Sequence, residues 1–187
     1  MTLKADVKLD AKGLVCPMPI IKTKKAMIDV NEGQILEVQA TDKGSIADLK
    51  AWAESMGHQY IGSTEEDGVL HHYIRKSGDD IGLEKNFKNT IANEEIIDRA
   101  VNGGIILDVR EEAEYAFGHI AGSLSIPIGE LEERLEELDR EKEIYVICRT
   151  GTRSDLAARK LSEKGFKKVF NVLPGISYWH GDLSKKI

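Results

Sequence analysis

The chain of 187 residues is predicted to be an α/β protein made of two small domains. Three observations carry this. The first half orders its elements as strand, helix, strand, helix and hairpin. The second half alternates strands and helices, the pattern of a mostly parallel sheet with helices on both faces. Between Arg75 and Lys88 the periodicity lapses into Lys76-Ser77-Gly78-Asp79-Asp80 and mixed polar residues, a linker signal. The expected division is a first domain over 1–76, a linker over 77–87 and a second domain over 88–187. With 41% hydrophobic and 31% charged residues, each half has enough apolar surface for a core.

In the first half, Ala5 to Leu9 alternates apolar and polar residues and reads as a strand. A helix follows from Pro17 to about Val30, with Ile20, Met27 and Ile28 marking its apolar face. Gln34 to Ala40 is a second strand. Ser45 is read as the N-cap of a helix that runs through Met56 and ends at Gly57. Tyr60 to Thr64 and Val69 to Arg75 flank Asp67-Gly68, a hairpin signal.

The second half opens with a strand over Phe87 to Ile91 and a helix capped near Asn93. Ile105 to Val109, a helix over Glu112 to Phe117, and Leu124 to Ile126 come next. An acidic helix is expected near Gly129 to Leu138, then strand Ile144 to Cys148, helix Ser154 to Glu163 and strand Lys168 to Val172.

Net charge is −6, with 10 basic against 11 acidic residues before Gly78 and 16 against 21 from there on. This balance argues against direct nucleic-acid binding. The first ten residues hold Lys4, Asp6 and Lys8 and do not read as a signal peptide, and no window reaches the roughly 20 apolar residues of a membrane span. A cytoplasmic protein with no membrane partner is expected.

The two cysteines, Cys16 and Cys148, are not a disulfide framework; reduced thiols fit better. Each sits where local sequence makes a nucleophile. Cys148 ends the strand Tyr145-Val146-Ile147 and opens a tight connection into the next helix, the sheet edge where α/β proteins bind ligands. Arg149, Thr150, Gly151, Thr152 and Arg153 complete the loop. Its backbone N–H groups and the positive helix end suit a thiolate or an anion, and Arg149 and Arg153 are expected to add two fixed cations.

Cys16 precedes Pro17 and Pro19 and is expected to be the N-cap of its helix, at the positive end of the dipole. Lys22, Lys24 and Lys25 nearby would favour the thiolate. It has no anion pocket, which fits a carrier docking on other proteins. His71 and His72 are adjacent on a strand and point to opposite faces, so no metal is assigned. His119 is read as scaffold, and Asp108 and Arg110 as a pair that either supports the loop or bonds to itself.

Leu107-Asp108-Val109-Arg110, Glu114-Tyr115, Gly118-His119-Ile120-Ala121-Gly122-Ser123, the Cys148 loop and Asn171-Val172-Leu173-Pro174-Gly175 resemble, in order, a single-domain rhodanese. Pro174 stands where that family commonly has glycine. The resemblance implies that Cys148 takes sulfane sulfur as a persulfide while the loop and both arginines bind the donor. A cysteine phosphatase is the rival, but its clamping arginine belongs six positions after the cysteine, where this chain has Ser154.

Asp10-Ala11-Lys12-Gly13-Leu14-Val15-Cys16-Pro17-Met18-Pro19, with Thr41-Asp42-Lys43-Gly44-Ser45, resembles the TusA-like sulfur carriers over residues 4–76. This implies a two-layer α/β sandwich (βαβαββ) whose functional residue is Cys16, with Asp10 and Gly13 shaping the loop. Together the resemblances imply a sulfurtransferase and sulfur relay: Cys148 accepts sulfur from thiosulfate or a low-molecular-weight persulfide and Cys16 delivers it to acceptor proteins. No cofactor is needed beyond cysteine persulfides. Transfer within one chain and across a homodimer both stay open. So do a noncatalytic carrier loaded by a partner protein and a redox sensor joining the two thiols.

Overall fold

The computed structural model describes residues 3–78 and 84–187. These fall into two compact units, 3–78 and 84–186. Part of the expected linker, residues 79–83, lies outside the described residues.

The first unit is built from β1 (Val7–Asp10), α1 (Met18–Asp29), β2 (Ile35–Ala40), α2 (Ser45–Ser55), β3 (Gln59–Glu66) and β4 (Val69–Arg75). Its sheet runs β1-β2-β4-β3, with β1 parallel to β2 and the other pairs antiparallel. The β3–β4 turn is the expected hairpin: Asp67 and Gly68 both take positive φ, 52° and 77°, as the tight two-residue turn requires. Both helices cover one face. Met27 from α1 and Leu49 and Ala53 from α2 pack on Leu36, Val38 and Ile74 of the sheet, the two-layer arrangement expected. Each fully buried leucine here contributes roughly 1.5–3 kcal/mol.

Two helix details differ from expectation. Ile28 is 75% exposed, so the inward stripe of α1 is Ile20, Thr23 and Met27, where Thr23 hides its hydroxyl by donating to the Pro19 carbonyl at 2.8 Å. Ser45 is the first helical residue, not the cap; Gly44 takes that place, and Ser45 Oγ donates to the Asp42 carbonyl.

The second unit contains β5 (Thr90–Ala92), α3 (Ile96–Val101), β6 (Ile105–Asp108), α4 (Glu112–Phe117), β7 (Leu124–Ser125), β8 (Ile144–Ile147), α5 (Thr152–Glu163) and β9 (Val169–Leu173). The sheet order is β5-β9-β8-β6-β7 and every pairing is parallel. Alternate residues face opposite layers. Leu107 and Val146 meet Ala157, Ala158 and Leu161 of α5, whereas Ile106, Tyr145 and Ile147 lie with Ile96 of α3. Both faces are therefore closed, which explains why β8 reads as an unbroken apolar run.

Most strand ends move by a residue or two, and three departures have a physical cause on view. The first strand begins at Thr90, because the Phe87 N–H is drawn to Asp155 Oδ1 at 2.8 Å instead of a ladder partner. The expected acidic helix is two short 3-10 turns, Leu131–Glu133 and Leu135–Glu137. A continuous helix there would stack Glu132 on Glu136 and Glu133 on Glu137, repulsive i,i+4 pairs, and Arg134 bonds Glu130 and Glu137 at the break. Finally, α5 starts at Thr152, two residues early, since Gly151 with φ of 90° supplies the left-handed turn before it.

Candidate functional site

Cys148 follows directly on β8, and the residue is 1% exposed. The chain then turns through Arg149, Thr150 and Gly151 into α5. The Gly151 N–H donates to Cys148 Sγ at 3.1 Å, and Ser154 Oγ lies 3.3 Å from the sulfur.

Every carbonyl of this turn is held from outside. Cys148 O accepts from Ile176 N at 2.9 Å and Arg149 O from Ser177 N at 3.1 Å. Thr150 O accepts from Lys85 Nζ at 2.7 Å. Gly151 O accepts from Asp155 N at 3.1 Å and from Asn171 Nδ2 at 3.2 Å. A trans peptide points its C=O and the following N–H in opposite directions. The N–H groups of Arg149, Thr150, Gly151 and Thr152 are thereby turned away from those partners, and the one on Gly151 meets the sulfur. N–H groups freed in this way at a helix start favour negative charge, and the Gly151 N–H is the one seen at the sulfur.

The segment after β9 builds the back of this turn. Gly175 has φ of 104°, and a methyl there would sit 2.7 Å from Arg149 O and 2.9 Å from Cys148 O. Asn93, itself buried, clamps Gly175 with both amide atoms: Nδ2 donates to its carbonyl at 2.9 Å and Oδ1 accepts its N–H at 3.3 Å. Asn171 contributes from β9. Its Nδ2 is committed to Gly151 O, so Oδ1 accepts the Ser154 hydroxyl proton at 2.6 Å, and Ser154 turns a lone pair toward Cys148.

The two arginines differ from the expected pair of fixed cations. Arg153 is buried and donates through both terminal nitrogens to Glu114, at 2.7 and 2.9 Å. Burial works against its charge, but the carboxylate prevails and the pKa is raised. Its positive charge is therefore matched inside the protein. Arg149 is exposed, and among the described residues its guanidinium makes no ion pair. Thr150 is exposed and Thr152 half-buried.

Asp108 and Arg110 pair with each other, at 2.7 Å, and Arg110 also donates to the Gly118 carbonyl. His119 stacks on Tyr115 with ring centroids 3.8 Å apart and bonds through Nδ1 to the Tyr115 carbonyl. Both sites serve the α4 region and neither touches Cys148.

In the first unit, Cys16 is exposed and lies beyond the helix it was expected to cap: Pro17 is the N-cap of α1. The loop before it is fixed to the sheet end. Asp10 Oδ1 accepts Lys12 N at 2.9 Å, Thr41 Oγ1 accepts Gly13 N at 2.9 Å, and Gly13 takes φ of 74°. Val15, Met18 and Ile21, close to Cys16 in sequence, are exposed. The expected cationic setting is also corrected. The thiol bonds to Asp48 at the start of α2, which, with desolvation and the Asp42 charge, raises its pKa. The lysines of α1 do not outweigh those carboxylates.

Behind that loop, His72 is fully buried on the helix face, between Ser45 Oγ at 3.0 Å and Tyr60 Oη at 2.8 Å. Ser45 spends its proton on the Asp42 carbonyl, so it accepts from His72 Nε2–H, and Nδ1 accepts from Tyr60. His71 turns the other way, to Glu37 at 2.7 Å. Among the described residues, no group of three or more His, Cys, Asp or Glu side chains is placed to hold a metal ion, and no helix is long and apolar enough to cross a membrane.

Sequence reasoning assigned no role at the site to Lys85, Asn93, Asp48 or Ser154. Asn171 and Glu114 fell inside family-like motifs without a role, and Lys85 was read as linker.

Each half of the chain matches a known family. Residues 7–76 match the family model described as sulfurtransferase TusA, and residues 87–182 match that of the rhodanese-like domain. The chain is 49% identical, over 96% of its length and 98% of the relative's, to "Putative sulfur carrier protein YrkF" of Bacillus subtilis (strain 168). It is 46% identical to the sulfur carrier protein TusA of Allochromatium vinosum, over 38% of this chain and 95% of that one. Among solved structures, the rhodanese-like domain of the Anabaena sp. Alr3790 protein has 25% identity and a TM-score of 0.48, covering 53% of this chain and 80% of that one.

Proposed function

Since the chain belongs to the TusA sulfurtransferase and rhodanese-like families, fused in one polypeptide, we propose that it is a two-cysteine sulfur relay acting in the cytoplasm. The observation that carries this reading is the Cys148 turn, whose carbonyls are all held outward and whose Gly151 N–H rests on the sulfur at 3.1 Å.

The reaction follows as covalent nucleophilic catalysis. Cys148 thiolate attacks the outer sulfur of thiosulfate or of a small persulfide. The new S–S bond forms as the old one breaks, and sulfite or a thiolate leaves with the electron pair. The terminal sulfur of the Cys148 persulfide then carries the negative charge, which the inward N–H groups stabilise. Arg149 meets the anionic donor. Arg153, matched by Glu114, orders the loop instead of drawing in substrate.

In the second step, Cys16 thiolate attacks the outer sulfur of the Cys148 persulfide; Cys148 leaves as thiolate and Cys16 carries the sulfur to an acceptor protein. The exposure of Cys16 and of the apolar Val15, Met18 and Ile21 close to it in sequence suits delivery to a protein surface.

Intact-protein mass spectrometry after incubation with thiosulfate tests this. Wild type is expected to gain sulfur on both cysteines, Cys16→Ala on Cys148 alone, and Cys148→Ala on neither. Sulfur on Cys16 in the Cys148→Ala protein, or no sulfur on Cys148 in the wild type, would defeat the relay from this donor. Mixing loaded Cys16→Ala with fresh Cys148→Ala separates transfer between chains from transfer within one.

A further inference from the structure

One peptide plane links Lys85 to the nucleophile. The Thr150 carbonyl accepts from Lys85 Nζ at 2.7 Å, and the N–H of the same plane, on Gly151, donates to Cys148 Sγ at 3.1 Å. Of the four loop carbonyls, three are held by backbone N–H groups or by the buried Asn171 amide. Thr150 alone depends on an exposed, charged side chain.

From this we infer that Lys85 is a positioning residue for the sulfur-binding turn, and that it acts through the Thr150–Gly151 peptide. The ammonium does two things there. It fixes the plane so that the Gly151 N–H stays aimed at the sulfur. It also polarises the amide, since a cation on the carbonyl oxygen makes the opposing N–H a stronger donor to negative charge. The effect is greatest where charge is greatest, on the thiolate and on the terminal sulfur of the persulfide.

The position adds to the argument. Lys85 precedes β5 and sits two residues before Phe87, whose N–H is bound to Asp155 in the first turn of α5. The segment of chain entering the second unit is thus fastened twice beside the cysteine turn, once to the Thr150 carbonyl within it and once to the helix that follows. The Lys85 ammonium lies at ordinary contact distance, 3.4 Å, from where a methyl on Gly151 would be, whereas that methyl would collide with the Leu173 side chain, so Gly151 keeps its place for Leu173 and for its φ of 90°.

The inference rests on the proposed role of Cys148, but its test does not. In the Cys16→Ala full-length protein, Cys148 is alkylated with iodoacetate and with iodoacetamide at one pH, and thiosulfate turnover is measured in parallel. Lys85→Met is expected to lower the iodoacetate-to-iodoacetamide rate ratio and the turnover each by about three- to tenfold, an effect smaller than loss of a whole oxyanion donor. Lys85→Arg, which keeps a charged donor, is expected to restore both to within about twofold. An unchanged ratio in Lys85→Met overturns the inference, as does an arginine variant as impaired as the methionine one. If wild-type Cys148 never takes up sulfur while the alkylation ratio still responds, the sulfur-transfer reading fails and the role of Lys85 stands.

Discussion

Arg153 and Glu114 form a closed, two-pronged ion pair inside the second unit, with the Glu114 side chain wholly buried and the arginine 9% exposed. Arg153 lies in the first turn of α5, two residues after Gly151, so the buried charge beside the cysteine turn is matched internally while the Arg149 charge stays on the surface.

That separation predicts opposite phenotypes. Glu114→Ala strands a buried guanidinium and is expected to destabilise the second unit by about 3–5 kcal/mol. Arg149→Ala removes a surface cation outside any ion pair among the described residues and is expected to raise KM for thiosulfate several-fold while leaving unfolding unchanged. Urea titrations beside steady-state kinetics check this; a Glu114→Ala protein as stable as wild type refutes the structural role.

Cys16 titrates above an ordinary thiol because Asp48 bonds to it and Asp42 adds like charge to the thiolate. Asp48→Asn is therefore expected to move the midpoint of Cys16 alkylation to lower pH. The measurement is the iodoacetamide rate against pH in the Cys148→Ala protein, and an unshifted midpoint means that Asp48 does not govern the thiol.

Burial lowers the pKa of His72 from 6.5 to about 4. In the unfolded chain the ring takes up its proton near pH 6.5, whereas the folded protein refuses it until pH 4. The stability tied to the neutral ring is thus complete above 6.5 and lost as pH falls toward 4, at up to about 1.4 kcal/mol per pH unit. Urea unfolding of the first unit across that window is expected to show the slope, and His72→Gln to flatten it.

Gly175→Ala is expected to cost at least about tenfold in turnover, because the added methyl meets the Cys148 and Arg149 carbonyls, backbone atoms with nowhere to go, and the residue has φ of 104°. A near-normal Gly175→Ala enzyme would show that the turn tolerates displacement.

How much of this was readable beforehand follows the range of the forces involved. Alternation placed β2 and β8 to within one residue, helical spacing the C-terminal end of α5, and Asp67-Gly68 its turn, because those signals are local. The Cys148 turn was legible as a motif for the same reason. What the sequence hid depends on distance along the chain. Glu114 is 39 positions from Arg153, and Lys85 is 65 from Thr150. No periodicity reports such pairings. The error at Cys16 had the same source, since lysines close in sequence were weighed while Asp48, brought in by α2, was not.

The near-complete enclosure of Cys148 sets a size rule for its chemistry. With 1% of the residue open to solvent, a donor of the proposed kind would have to reach the sulfur by a slender terminus, a single sulfur atom on a narrow stalk, with its bulk left outside. In the proposed relay such an enclosure would act as a sieve, favouring thiosulfate and unbranched persulfides at Cys148 and leaving wide electrophiles to the exposed Cys16.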